Sequence, residues 1–196
     1  MDASRFRIDW ASDVGQLAAI EPELAEVAAH AEALAAGYNE PANAALMGHG
    51  EPIAPSEVID HYEDMFGEGA RQFLLFVDGK LVGDADLRRF HGGAAEFAFM
   101  IGARDQQGKG LGTRFAQMIH ALAFAELGLH HVYASIVPHN AASRRVFEKM
   151  GYALDDSATA REFADEPGDI TMAIDRATFH RVNAAAVAAI HARVRS

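Results

Sequence analysis

Cysteine is absent, and this excludes disulfides, a cysteine nucleophile, thiolate-bound zinc and iron–sulfur clusters together. Lysine is scarce, standing only at 80, 109 and 149, while the formal net charge is −11. A field of that sign repels nucleic acid and favours cationic partners. Long apolar runs are missing too: no stretch approaches the roughly 20 residues that a membrane helix needs. The opening "MDASRFRIDW" lacks the basic head, apolar middle and small-residue cleavage site of a secretion signal. The expectation is a soluble cytoplasmic protein with neither membrane nor nucleic-acid partner.

Histidine is present ten times, yet no metal site is expected. His130 and His131 are adjacent, so on a strand they point to opposite faces and do not converge on one ion. With His91, His120 and His139 they read as surface or edge residues. The 196 residues, half of them hydrophobic, suit one domain spanning 1–196 around one core.

Phe6 to Trp10 reads as an opening strand. The Ala/Leu/Glu-rich stretch from Ser12 to Gly37 then reads as helix, split in two at Pro22. Residues 38–55 are rich in Gly, Pro and Asn and read as a long surface loop. Ser56 caps a helix whose apolar stripe is Val58, Ile59, Tyr62, Met65 and Phe66. Asp78-Gly79 between apolar runs is a strong hairpin signal, and "HGG" at 91–93 is a second turn. Residues 72–102 therefore form an antiparallel three-strand meander. A helix from Thr113 to Leu127 follows, then a strand "HVYASIV", and a helix between Asn140 and Gly151. The remainder reads as a polar loop at 155–168, a strand "DITMAI", and a last helix from Ala177 suited to cap the core or meet a second subunit. The fold class is α/β (α+β), with a mixed sheet.

Chemistry concentrates in "DQQGKGLGTRF", Asp105 to Phe115, where an apolar strand passes through a glycine-rich turn into a helix. Backbone N–H groups and the helix dipole converge at such a turn, which suits a phosphate or pyrophosphate. A P-loop is excluded, because the residue at the offset of its first Gly is Ala103 and Lys109 is followed by Gly110. The dinucleotide fingerprint fails as well, since its sixth position falls on Thr113 or Phe115.

Gln107, Gly110 and Gly112 instead match Gln/Arg-x-x-Gly-x-Gly/Ala, and here the sequence resembles the GNAT superfamily of acetyl-coenzyme A dependent N-acetyltransferases. "NAASRRVFEKMGY", Asn140 to Tyr152, looks like the second signature of that family, about 30 residues on and in the right order. The resemblance covers Gln72 to Ile174. It implies a mostly antiparallel central sheet with helices on both faces and coenzyme A in a V-shaped splay between the two central strands. It also implies acetyl-CoA as co-substrate, a cationic amine acceptor and no metal.

The resemblance assigns the cofactor to the turn residues Gln107, Gly108, Lys109, Gly110, Leu111, Gly112 and Thr113, and to Asn140, Ser143 and Phe147. Backbone N–H groups near Met100 and Ile101 would meet the oxyanion. Glu96 lies 11 positions before Gln107, the offset of the general-base glutamate in the histone-acetylating branch. An ideal strand places Glu96 about 13 Å from Met100, so a bulge or a water relay is required. Its alternative role is an ion pair with Arg88 or Arg89. Phe147 stands where many relatives carry the tyrosine that protonates the leaving thiolate, with Tyr133 and Tyr152 as substitutes. That departure resembles the Rim-type branch, which acetylates protein N-termini, and some polyamine and aminoglycoside acetyltransferases. A non-catalytic acyl-CoA binder and a toxin-type enzyme acting on charged transfer RNA are the competing classes, the second opposed by the charge.

Overall fold

The computed structural model describes residues 4–47, 51–102 and 104–195. The meander lies where the turn residues place it: β3 (Arg71–Val77), β4 (Lys80–His91) and β5 (Ala94–Ile101) pair antiparallel in sequence. Asp78 and Gly79 take φ of 49° and 76°, and Gly92 and Gly93 take 57° and 78°, the left-handed pairs that let two-residue turns match the twist of their strands.

Around this meander, in chain order, stand β1 (Phe6–Ser12), β2 (Gly15–Ile20), α1 (Leu24–Tyr38), α2 (Pro41–Met47) and α3 (Pro55–Gly67) on its N-terminal side. After it come α4 (Leu111–Ala125), β6 (His131–Ile136), α5 (Ala141–Met150), β7 (Ala153–Leu154), α6 (Ala158–Arg161) and β8 (Ile170–Asp175). The chain ends in α7 (Arg176–Val182), α8 (Ala184–Val187) and β9 (His191–Val194). Among the described residues the strands form one nine-stranded sheet, ordered β7-β8-β6-β5-β4-β3-β2-β1-β9, in which only β5 and β6 are parallel neighbours. Leu17, Phe73, Leu87 and Phe97 pack on one face against Phe115, Ile119 and Leu122 of α4. Val27, Leu34 and Tyr62 of α1 and α3 cover the other face over Leu74. No helix among the described residues is long and apolar enough to cross a membrane.

Five expectations are corrected. The stretch from Ser12 is a hairpin before it is a helix: β2 pairs with both β1 and β3, and Leu17, Ala18 and Ala19 are all buried. A strand covered on both faces loses its alternation and reads like a buried helix. The supposed loop at 38–55 holds α2, which begins at Pro41; the Glu40 carboxylate accepts from the backbone N–H of Ala42 and Asn43 at 2.9 and 3.2 Å. Likewise α3 opens with Pro55 in its first turn rather than behind a Ser56 cap, because a proline there forfeits no helical hydrogen bond. The last helix breaks at Asn183 and gives way to β9, whose partner is β1 at the far end of the sequence.

His120 is the fifth correction. His91, His130, His131 and His139 are exposed, but His120 is fully buried on α4. Its Nδ1 lies 2.7 Å from the Ala116 carbonyl and must therefore carry the proton, which leaves Nε2 to accept from the Tyr152 hydroxyl. Both ring nitrogens are thus satisfied inside the apolar core, and burial pulls the pKa down to about 4.

Candidate active site

The parallel pair β5–β6 is short. Ala94, Ala95 and Glu96 pair with His131, Val132 and Tyr133, and beyond them both strands continue without pairing to each other. The backbone from Ala98 to Ile101 thus has an open edge on the β6 side. A cleft of about 880 Å³ opens there, within the range of small-molecule sites.

The glycine-rich turn closes one end. After a short 3-10 turn at Arg104–Gln106, Gly108 and Gly110 take φ of 76° and 74°, and Gly110 caps α4. Gly112 has a different reason to be small: a β-carbon there would lie 2.8 Å from Cε2 of Phe99. The side-chain amide of Gln107 donates to the Ile101 carbonyl at 2.9 Å and to Asn43 Oδ1 at 3.2 Å, tying the turn to the end of β5 and to α2. Gln107, Gly108, Gly110, Leu111, Gly112 and Thr113 line the cleft with Met100 and Ile101. Lys109 is not part of that lining; its Nζ lies 3.3 Å from Oε1 of Gln106, which is.

At the cleft's other wall Asn140 caps α5, its Oδ1 accepting from the Ser143 N–H at 3.0 Å, and both residues line the cleft. Phe147 does not. It is buried edge-on against Phe97, Phe99 and Tyr152. The Tyr152 hydroxyl is committed to His120. Tyr133 stacks on Phe163 with ring centroids 4.4 Å apart.

The floor is acidic. Asp84 and Asp86 on β4 stand opposite Met100 and Ala98 of β5, and opposite Leu74 and Gln72 of β3. Tyr38 and Tyr62 both donate to Asp84 Oδ2, the latter at 3.0 Å. Burial pushes the Asp84 carboxyl up to about 6, against the pull of these two hydroxyls. Asp86 is pushed up to about 7 by burial, opposed chiefly by Arg88.

Glu96 is 1% exposed and lies outside the cleft lining. Arg88 grips it with two bonds, Nε to Oε2 at 3.0 Å and Nη2 to Oε1 at 2.8 Å, and Arg89 Nη1 lies 3.0 Å from Oε2. Asp165 pairs with the same two arginines at 2.8 and 2.9 Å. Burial raises the Glu96 pKa, with Arg88 pulling the other way. The ion pairs held open as its alternative role are therefore formed.

Gln72, Asp84 and Asp86 escape the motif reading. The available signal is "GDADL": two aspartates two apart inside an apolar strand put two charges on one face, where strand residues are seldom acidic.

These residues fit coenzyme A: an unpaired strand edge can pair with an extended amide chain, and the left-handed glycine turn at a helix N-terminus suits a pyrophosphate. Residues 23–153 match the model described as the acetyltransferase (GNAT) domain. A probable N-acetyltransferase, YjcK of Bacillus subtilis, is 36% identical over 99 residues, 48% of this chain and 55% of that protein. Spermidine N(1)-acetyltransferase of Escherichia coli K12 is 28% identical over 102 residues, 50% of this chain and 54% of that protein. The chain thus spans about half the length of the curated relatives it matches. Among solved structures, Mycobacterium smegmatis RimJ in complex with CoA-disulfide superposes with a TM-score of 0.70 at 18% identity, covering 94% of this chain and 96% of that one. The aminoglycoside acetyltransferase AAC(6')-Ib in complex with coenzyme A gives 0.70 at 17% identity, covering 85% and 99%. With its signatures, its splayed strands and a family match across most of its length, the chain belongs to the GNAT acetyltransferase family.

Proposed function

We propose that the protein transfers an acetyl group from acetyl-CoA to a primary amine, carried by a small cationic molecule or a protein N-terminus. The observation that carries this reading is the unpaired edge of β5 beyond Glu96, followed after the 3-10 turn at Arg104–Gln106 by the Gly108–Gly110 turn. Acetyl-CoA would supply the activated acyl group. Met100 and Ile101 would orient it through their backbone, and the amides of Gly108 to Thr113 would hold the pyrophosphate. Asn140 and Ser143 line the wall where the rest of the cofactor would lie, while Lys109 would act only through long-range charge and Phe147 only by packing the wall from behind. The acidic floor suits an ammonium acceptor, in keeping with relatives named for spermidine and aminoglycosides. The net charge of −11 disfavours nucleic acid as that acceptor.

Glu96, the base assigned by resemblance, could serve only through water or after parting from Arg88 and Arg89. No tyrosine stands ready as general acid, so the thiolate would take its proton from solvent or from the amine. A thiol with an ordinary pKa of about 8.5 is a tolerable leaving group. Cofactor binding without turnover is the second reading, favoured by Phe147 in the tyrosine's place. Titration calorimetry with CoA, followed by thiol release from acetyl-CoA across a panel of polyamines, aminoglycosides and N-terminal peptides, separates the two. Heat on CoA titration with no thiol release from any amine would leave only the binder.

A further inference from the structure

Among the described residues, two buried side-chain oxygens have no hydrogen-bond partner in the chain: Oε1 of Gln72 and Oδ1 of Asp86. They are neighbours. Gln72 and Asp86 stand directly opposite each other in the β3–β4 register, so their side chains leave the same face of the sheet, and both line the cleft. Gln72 is only 3% exposed. Both orphans are acceptors, closed to solvent on side chains that line one cavity; leaving a buried acceptor unpaired is costly, so a ligand rich in donors that these two side chains turn to meet would relieve both. A primary ammonium has three N–H donors and a compensating charge.

Position along the sheet strengthens the case. Asp86 is opposite Ala98, two residues from Met100, whereas Glu96 is four residues away. On a strand those separations are about 7 Å and about 13 Å. Glu96 has given its oxygens to Arg88 and Arg89, while Asp86 keeps only a long 3.7 Å approach to Arg88 Nε. Asp84 is nearer still to Met100, but its Oδ2 already accepts from two tyrosines.

Resting on the acetyltransferase reading of the cleft, we propose that Gln72 and Asp86 receive the acceptor's primary ammonium group and that Asp86, rather than Glu96, removes its proton. The ammonium gives one proton to the Asp86 carboxylate and becomes a free amine. Its nitrogen forms the C–N bond as the thioester C–S bond breaks, the departing sulfur takes the second nitrogen proton, and Asp86 returns its proton to solvent. Glu96 is then a positioning residue that engages the Arg88 guanidinium and leaves Asp86 basic. The charged and titratable groups around Asp86 are Asp84 and Arg88 on β4, Glu96 on β5, Asp165 before β8, and, in the same cleft, Tyr38 of α1 with His61 and Tyr62 of α3. A carboxyl held near neutrality by burial is suited to general-base work.

The test uses the full chain with acetyl-CoA and spermidine as the probe, comparing Asp86→Asn, Gln72→Met and Glu96→Gln. Asp86→Asn is expected to lower kcat by about 10²- to 10⁴-fold and to lose the acidic limb of the pH–rate profile, with CoA affinity within about twofold and a melting midpoint at pH 8 no lower than wild type. Gln72→Met should raise KM for spermidine more than it lowers kcat. Glu96→Gln should retain the acidic limb. Wild-type rate and pH profile in Asp86→Asn, or loss of the limb only in Glu96→Gln, would overturn the assignment. Should the wild type bind CoA yet acetylate nothing, the transferase reading fails by itself; calorimetry of spermidine into the CoA complex then decides the ammonium site. Binding that vanishes in Asp86→Asn supports it, and binding that is absent or unchanged overturns it.

Discussion

Gly112 at the start of α4 lies so close to the ring of Phe99 on β5 that a β-carbon would meet Cε2 at 2.8 Å. That ring cannot swing aside, because it is stacked 5.7 Å from Phe97 and braced 5.9 Å from Phe147. The helix that presents the glycine turn is therefore seated on the strand that forms the open edge. Gly112→Ala should cost about 1–3 kcal/mol by overpacking, against the roughly 1 kcal/mol that alanine gains in helix propensity. It should weaken CoA binding as well. Urea denaturation and CoA calorimetry check this, with Gly67→Ala as control, since nothing lies within 4 Å of a β-carbon at that residue.

His120 makes stability depend on pH in a definite direction. Its folded pKa is about 4 against an ordinary 6.5, so between those values the unfolded chain binds a proton that the folded chain refuses. The neutral core histidine supports the fold fully above pH 6.5, and its contribution is lost as the pH falls toward 4, by about 3 kcal/mol at the limit. An NMR titration should find the His120 ring uncharged at pH 5.5.

Asp86 acts in the opposite direction. Its folded pKa of about 7 exceeds the ordinary 3.8, so its contribution is greatest below pH 3.8 and is lost as the pH rises through 7. Asp86→Asn removes that loss. The variant should be more stable than wild type at pH 8, by up to about 4 kcal/mol, with the difference shrinking toward pH 5. Urea midpoints across that range measure it; a variant less stable at pH 8 would show that the carboxylate supports the fold there.

Asn183 holds the break between α7 and α8. Its Nδ2 donates to the Met150 and Phe179 carbonyls at 2.9 and 3.0 Å, and its Oδ1 accepts from Gln117 at 2.9 Å. Asn183→Ala leaves the buried Met150 carbonyl and the half-buried Gln117 amide without this partner, while the Phe179 carbonyl keeps its bond from the backbone N–H of residue 183, and should cost about 1–3 kcal/mol, read as a lowered denaturant midpoint with an unchanged slope. A loss below about 0.5 kcal/mol would mean that the break needs no such anchor.

The parts of the fold legible in the chain are those set by local stereochemistry. Asp78-Gly79 and Gly92-Gly93 announce their turns because few residues tolerate positive φ, and Asn140 and Gly151 announce the ends of α5 because each satisfies an orphan backbone group. β2 was hidden because burial on both faces erased its alternation. β9 was hidden because its partner, β1, lies at the opposite end of the sequence. The site divides in the same way. Gln107, Gly110, Gly112, Asn140 and Ser143 form short contiguous signatures, whereas Gln72 and Asp86 become one unit only through strand register, and Asp165 joins the arginines of Glu96 only through the tertiary fold.

By itself the sequence determined the meander, the glycine-rich entry to α4 and the capped helix behind it, because turns and caps are decided by a few adjacent backbone angles. Only the tertiary structure decided which carboxylates face the cleft and in what state. Burial, strand register and competition for a shared arginine set the charge of Asp84, Asp86 and Glu96, and each depends on residues distant in the chain.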